Sequence, residues 1–499
     1  HVTEWMLKEP AFGKAEADRL EVLRSGKLTV ETTLDPRVQA LAEMSVASVA
    51  ADPTLPSAAL VAMDPRTGAV LGYVGGRDFY GSAPSAQFDL AGSGKRSPGS
   101  TFKPFVLAAA LQEGIQLNRH FDAPATIDIP IPGQAPWHVQ NYDGSGSGSM
   151  SLTEATVSSV NTVYAQLIHE IGAEPVVKLA ASLGVRSPLS PDPAVALWGS
   201  GVSVLDMASA YSTLANDGIR HDPVLVRRVL DGNGKVLWSS PTTERRALDE
   251  TIVRQVNDVL SQVVARGTGV NARIGRPVIG KTGTSEDWGD AWFIGSTPQL
   301  TVATWVGFPD AVIPMIPPRT PITVAGGTWP AKIFQQFASA ALADTPAIEF
   351  PAAAPTSNAV ATPTLLGIER HAATTKLTKA GIPFDVVEKP SVDAPKGIVI
   401  GQRPLPGSPL KAKDRVVLEV STGRPQPVAV ANVLGMQAAQ ARTILEAQGF
   451  GVRIEKENES PPPPYERLGA VWKQSIIPGS VADVGLTITL TVNRDVNGN

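Results

Sequence analysis

The chain of 499 residues contains no cysteine, and that absence removes disulfides, thiol nucleophiles and thiolate metal sites together. An excess of charge of one sign is also lacking: 43 Lys and Arg stand against 47 Asp and Glu, a net charge of −4 with the signs mixed. No basic face therefore points to nucleic acid and no polybasic tract to a membrane surface. The six histidines are scattered, with no His-Glu-x-x-His and no pair at helical spacing, so no metal and no cofactor is expected. No run of eighteen apolar residues occurs, which leaves no transmembrane segment or signal peptide in this sequence. The first residue is His1, and the chain is expected to be a fragment or mature form that has lost an N-terminal anchor. Its length predicts about three domains.

What is present centres on Ser97-Pro98-Gly99-Ser100-Thr101-Phe102-Lys103-Pro104. The Pro-Gly pair interrupts regular structure, and Phe105 to Leu111 then reads as a helix apolar on nearly every side, closed by Gly114. Ser100 falls at the helix N-terminus, and Pro104 sits in the first turn, where its missing N–H costs little. Lys103 lies one turn on, on the same face as the serine. A desolvated lysine has a lowered pKa and serves as a base, while a helix N-terminus favours an oxyanion at Ser100. Alone, the spacing equally describes a helix-capping serine and a solvated lysine, so the downstream partners decide.

Along the chain, residues 1–34 read as the remnant of a connection, with a short helical pattern (Glu16, Leu20, Leu23) and an alternating strand at Leu28 to Leu34. A helix from Asp35 precedes a β-hairpin, Ala58 to Met63 and Ala69 to Val74, turned at Pro65 and Gly68. The run from Ser145 to Ser149 looks like a linker, but Ser151-x-x-Glu154 is a capping box that opens a helix directly after it, so the run reads as a loop within one domain. Ser159-Val160-Asn161 falls at a helix-to-helix joint. A buried helix spans about 199–218, Val278 to Thr284 is a strand, and Ala291 to Gly295 with Leu300 to Gly307 forms a second hairpin. The layout is α+β, an antiparallel sheet packed between helices, over residues 35–350. A linker at 351–362 leads to two copies of a small repeat, 363–422 and 430–493. Leu366-Gly367 matches Leu434-Gly435, and Pro406-Gly407-Ser408 matches Pro478-Gly479-Ser480, with an insertion assigned to Pro461 to Pro464. Each copy reads as a helix followed by short strands, either a binding module or a spacer.

Three motifs stand in order: Ser100-Thr101-Phe102-Lys103, Ser159-Val160-Asn161 and Lys281-Thr282-Gly283-Thr284. Acyl transfer through a serine needs a base, a proton donor for the leaving amine, an oxyanion hole and a grip on the substrate. Lys103 can take the Ser100 proton, and Ser159, between Lys103 and Lys281, can relay a proton to the leaving nitrogen. Asn161 can hold the substrate amide. Lys281 adds positive potential for a carboxylate and orders the relay; the Thr282 and Thr284 hydroxyls, on either side of Gly283, can bind that carboxylate. The backbone N–H groups of Ser100 and Thr284 suit the oxyanion.

With these motifs the sequence resembles the serine acyltransferases that bind penicillin, and in particular the transpeptidase part of class A penicillin-binding proteins, from about Thr29 to Phe337. The resemblance extends to Thr32 to Asp35, Gly75 to Phe79, Asn141 to Gly144, Ala208 to Asn216, Gly267-Thr268 and Asp290 to Gly295. The two tail repeats resemble PASTA modules, the second more closely. The resemblance implies cross-linking of peptidoglycan stem peptides on the outer side of a bacterial plasma membrane: Ser100 attacks a D-alanyl-D-alanine bond and passes the acyl group to a neighbouring amine. β-Lactams would acylate Ser100 as substrate mimics. It also implies a membrane anchor and a glycosyltransferase domain upstream, neither of which lies in this sequence.

Gly275 to Thr282 fits the phosphate-loop pattern G-x-x-x-x-G-K-T, but Val278 and Ile279 already read as strand and no helix start follows the lysine. His138 and Trp137 read as surface or packing residues near the catalytic loops. Trp288 is a candidate for the groove wall, whereas Trp292 reads as packing. Among rival activities, a class A β-lactamase needs a glutamate followed four residues later by asparagine, and Glu170, Glu174, Glu244 and Glu250 lack it. Ser158-Ser159-Val160 matches the Ser-x-Val of another lactamase class, but Asn161 makes the overlapping Ser-Val-Asn the simpler assignment. A D-alanine carboxypeptidase stays open, as does a non-enzymatic sensor of cell wall or β-lactam.

Overall fold

The computed structural model describes residues 2–81, 85–131, 135–197, 199–353, 360–391, 394–410, 414–423, 427–457 and 468–493. The chain divides into two compact units, one formed by residues up to 359 and the other, nearly throughout, by residues from 360 onward. The four prolines assigned to the repeat insertion, and the middle of the 351–362 linker, lie outside the described residues.

The first 34 residues are more ordered than a connection. Helices α1 (Val2–Lys8) and α2 (Glu16–Arg24) and strand β1 (Thr29–Thr32) close a small core with residues two hundred positions away. β1 pairs antiparallel with β4 (Val226–Leu230), which pairs with β5 (Val236–Ser239). Met6, Phe12, Val226 and Val229 are buried there, and Trp5 meets Trp238 at 4.5 Å.

Helix α3 (Pro36–Ala50) starts where its signals predict: the Asp35 carboxylate accepts from Val38 N–H, and Pro36 takes the first turn. The chain then enters the central sheet with β2 (Ser57–Met63) and β3 (Val70–Val74). Strands β6 (Ile279–Thr284), β7 (Asp290–Ser296) and β8 (Thr301–Gly307) complete it in the order β6-β7-β8-β2-β3, antiparallel throughout. Alternate side chains feed two cores. Ala59, Val61, Met63, Trp292, Ile294 and Trp305 face one, with α4 (Lys103–Gln112) and α8 (Val204–Ala215); Leu60, Ala62, Phe293, Val302 and Val306 face the other, with α3 and α10 (Trp329–Ala341). The sheet is thus covered on both faces, which is why its strands read as unbroken apolar runs.

The two edges of this sheet differ. At β3, the Gln39 side chain of α3 acts as a surrogate strand, its Nε2 donating to Tyr73 O at 3.0 Å and its Oε1 accepting from Tyr73 N at 2.7 Å. Asp35 N and Leu90 N occupy the carbonyls of Leu71 and Gly75. At the opposite edge, β6 runs beside the turn Gly99–Phe102 that leads into α4. The approach is tight: a Cβ on Gly283 would stand 2.5 Å from Pro98 O, and one on Gly99, which adopts φ +52°, would stand 2.6 Å from Thr284 O. Only glycine fits at both positions.

In the second unit, α11 (Arg370–Lys379) packs on β9 (Phe384–Lys389), β10 (Val399–Arg403) and β11 (Val416–Ser421); β9 and β11 are parallel, and β10 is antiparallel to β11. The same plan recurs in α12 (Ala438–Ala447), β12 (Gly451–Lys456), β13 (Val471–Gln474) and β14 (Thr487–Val492). Each copy has its own core, around Leu377, Val416 and Leu418 in the first and Leu445, Ile488 and Leu490 in the second.

Candidate active site

Three elements meet where β6 passes the start of α4. Ser100 sits in the 3-10 turn that feeds α4, and α4 is buried from Lys103 to Leu111. Two hydrogen bonds from the flanking layers pin this turn: Trp292 Nε1 to Ser97 O and the Tyr211 hydroxyl to Thr101 O, both 2.7 Å. Trp292 is therefore a packing residue. The second element is the joint between α5 (Leu152–Val157) and α6 (Asn161–Ile171), the latter continuing past Gly172 into α7 (Ala173–Leu183). Here Ser159 adopts φ +59°, an uncommon left-handed conformation for a residue with a Cβ, and one that clusters at functional sites. The third is β6 itself.

The side chains converge on the Ser159 hydroxyl. Lys281 Nζ donates to Ser159 Oγ at 2.8 Å, and Lys103 Nζ lies 3.3 Å from the same oxygen, 2.6 Å from Ser159 O and 2.8 Å from Asn161 Oδ1. Both lysines are fully buried, and Lys103 rests 5.1 Å from the centre of the Tyr164 ring. Desolvation, with the nearby Lys281 charge, pushes Lys103 well below its ordinary pKa; desolvation brings Lys281 down to about 7. Among the described residues neither amine is paired with a carboxylate; their acceptors are neutral oxygens, Ser159 O and Asn161 Oδ1 for Lys103 and Ser159 Oγ and Thr282 O for Lys281.

Above these groups opens a cleft of about 290 Å³ lined by Ser100, Tyr142, Ser158, Ser159, Asn161, Thr268, Thr282, Thr284, Ala325 and Gly327. The candidate residues Ser100, Ser159, Asn161, Thr282 and Thr284 thus share one cavity, with Lys103 and Lys281 bonded beneath it and Gly283 packed on the nucleophile turn. Ser285 N donates to Asp290 O on the neighbouring strand. Strand alternation therefore turns the N–H groups of Gly283 and Lys281 inward and those of Thr282 and Thr284 towards the free edge, beside Ser100.

Two expectations need amendment. Asn161 is more occupied than a substrate ligand would be: Oδ1 accepts from the Lys103 amine at 2.8 Å, and Nδ2 donates to Gln140 O at 2.9 Å. It holds the base as well as facing the cleft. The capping box at Ser151 is half formed: the serine oxygen accepts from Glu154 N, but the Glu154 carboxylate instead pairs with Arg266, the last residue of α9 (Glu250–Arg266). That pair fastens the end of α9 to α5 and sets Gly267-Thr268 against Val157.

Sequence reasoning missed the roles of Thr268, Asn141 and Tyr142. Thr268 Oγ1 lies 2.6 Å from Thr282 Oγ1, adding a third hydroxyl to the pair on β6. The buried Asn141 accepts from the N–H groups of Asn161 and Thr162 through Oδ1 and donates to Pro124 O and Ser145 O, so it caps α6 from twenty residues away. Tyr142 lines the cleft and accepts a 2.7 Å bond from Trp288 Nε1. His138 stands on the surface against Asp128, apart from the site. Gly280-Lys281 lies within β6, which runs on to Thr284 and is followed only by a three-residue 3-10 turn at Glu286–Trp288, so no helix starts at the lysine and the phosphate-loop pattern is coincidental.

A serine at a helix start, two buried amines sharing a second hydroxyl and a hydroxyl-lined edge strand make up the active site of a penicillin-binding serine enzyme. Residues 58–309, just over half of the chain, match the family described as the penicillin binding protein transpeptidase domain, and the chain belongs to it. Residues 360–422 and 428–494 match the PASTA domain.

The chain is similar to penicillin-binding protein 1A of Mycolicibacterium smegmatis, 32% identical over 356 residues, covering 66% of this chain and 43% of the relative. Penicillin-binding protein 1A of Mycobacterium tuberculosis is likewise 32% identical, over 359 residues, with 66% and 42% covered. The chain thus spans about two fifths of the length of these curated relatives. Among solved structures, PonA1 of Mycobacterium tuberculosis in complex with penicillin V superposes with a TM-score of 0.59 at 31% identity, covering 66% of this chain and 90% of that one. The penicillin G acyl-enzyme of penicillin-binding protein A from M. tuberculosis gives 0.53 at 25% identity, with 65% and 84% covered.

Proposed function

We propose that Ser100 is the nucleophile of a D-alanyl-D-alanine transpeptidase that cross-links peptidoglycan stem peptides and is acylated by β-lactams. The observation that carries this reading is the Ser159 hydroxyl held between two buried, desolvated amines at the floor of the cleft that Ser100 lines. Lys103, neutral because burial disfavours its charge, accepts the Ser100 proton as Oγ attacks the carbonyl carbon. The oxyanion forms between the N–H groups of Ser100 and Thr284. As the C–N bond breaks, the proton passes from Lys103 through Ser159 to the departing D-alanine nitrogen, leaving an ester on Ser100. An acceptor amine then attacks that ester by the reverse sequence, losing its proton through the same relay. Lys281 keeps the relay ordered and supplies positive potential; Thr282 and Thr284, with Thr268, hold the terminal carboxylate of the donor.

The reaction belongs on the outer side of the plasma membrane, with the membrane reached through an anchor in the parent protein; among the described residues no helix is long and apolar enough to cross a bilayer. Among the described residues lining the cleft none is Asp or Glu, so a water entering it meets no carboxylate base there. That favours a persistent acyl-enzyme over β-lactamase turnover. A fluorescent penicillin should label the chain at Ser100, and Ser100→Ala should abolish labelling; label at another residue overturns the mechanism. Cross-linked dimers formed from pentapeptide strands, read by mass spectrometry, distinguish the transpeptidase from a carboxypeptidase.

A further inference from the structure

At the β3 edge of the central sheet, opposite the catalytic edge, lies a cavity of about 840 Å³. It shares no lining residue with the catalytic cleft. One wall is aliphatic, from Val46, Ala47 and Ala50 of α3 and Val74 of β3. Its rim is aromatic: Phe79, Tyr80 and Phe88 are 59%, 92% and 48% exposed, and the first two rings meet edge to face at 5.3 Å. Three large aromatic residues left to water along one rim mark an interaction site.

The charge of the lining selects the ligand. Glu43, Asp78 and Asp89 contribute three carboxylates, and Arg77 is the one cation among the described lining residues. The Arg77 guanidinium is committed to backbone, donating to the carbonyls of Ala50, Pro53, Leu55 and Pro56. Asp89 is engaged by the Tyr73 hydroxyl; Glu43 and Asp78 each accept one local bond, from Gln39 Nε2 and Tyr80 N, and lie exposed at the opening with further acceptor positions to spare. An excess of carboxylate beside the negative faces of aromatic rings attracts ammonium or guanidinium groups. Addition of a strand is excluded, because Gln39, Asp35 and Leu90 already occupy the β3 edge.

We propose that this cavity binds a peptide segment of a partner protein in which a lysine or arginine stands beside an apolar residue. Size decides between a segment and a free small cation: a volume of this order holds a ligand of several side chains, and the aliphatic wall has no use for an ion alone. The basic group lies against Glu43, Asp78 and the aromatic rim, and its apolar neighbour lies on the α3 wall.

The test is calorimetric titration of the full chain with acetyl-Lys-Leu-Lys-Leu-amide. Saturable binding is expected, weakened about two- to fivefold by each of Glu43→Gln, Asp78→Asn and Tyr80→Ser, while fluorescent-penicillin labelling of Ser100 stays unchanged and reports an intact fold. Absence of binding, equal binding of acetyl-Glu-Leu-Glu-Leu-amide, or indifference to all three substitutions overturns the proposal. Tetramethylammonium binding as tightly as the peptide also overturns it, since the segment would then add nothing.

Discussion

Replacing Lys281 with methionine probes the electrostatics of the cleft most directly. The Lys103 and Lys281 amines both reach Ser159 Oγ, at 3.3 and 2.8 Å, so they stand no more than about 6 Å apart. Two unit charges at that separation repel by roughly 3 kcal/mol at an effective dielectric of about 20, equivalent to roughly two pKa units. Burial and this repulsion together hold Lys103 well below its ordinary value, and burial brings Lys281 to about 7. In the working state Lys103 is neutral and Lys281 still protonated, so the rate of acylation by a β-lactam should trace a bell whose limbs belong to the pair. Its alkaline limb should fall near pH 7. Lys281→Met should remove that limb, move the acid limb upward by as much as about two units, and lower the plateau by about 10²- to 10⁴-fold through the disordered relay. The assay is the second-order rate constant for labelling by a fluorescent penicillin as a function of pH, with Ser100→Ala as the blank. An acid limb that stays in place, beside an alkaline limb that survives the substitution, would refute the coupling of the two amines.

The same lysine makes a stability prediction. Its folded pKa of about 7 lies below the ordinary 10.5, so between these values the unfolded chain binds more protons and stability rises with pH; below about 7 the cost of charging the buried amine is present in full. Lys281→Met should therefore melt higher than the parent at pH 6, by about 5 kcal/mol at most, and the difference should shrink towards pH 10.5. Asn141→Ala removes the buried cap of α6 and should cost about 2–4 kcal/mol in denaturant unfolding, with a loss of acylation because Asn161 loses its anchor. Gly283→Ala drives a Cβ into Pro98 O and Thr101 Cγ2; circular dichroism should stay native-like while penicillin labelling falls by at least about tenfold.

The parts of the molecule that were legible in the sequence are those governed by near neighbours. Ser100 and Lys103 are one helical turn apart, and Asp35-Pro36 announces α3, so local rules were enough. Strands β2, β7 and β8 declared themselves as apolar runs because both faces of each are buried. Asn141 gave no such signal: its role depends on a fold that returns α6 to it after twenty residues, and a lone asparagine beside Tyr-Asp-Gly looks like a turn. Glu154 satisfied a local pattern, yet a distant arginine offered it a charge-assisted bond that the Ser151 backbone could not match. The first 34 residues looked like loose connection because their apolar partners, Val226, Val229 and Trp238, lie beyond the reach of any window.

The unequal rims of the central sheet bear on how copies of this protein meet one another. A sheet bare at both rims can be lengthened without limit by neighbours of its own kind. Here the carboxamide of Gln39 closes one rim, and the turn at Gly99 lies against the Thr284 backbone on the other, so a neighbouring copy finds no open strand to extend.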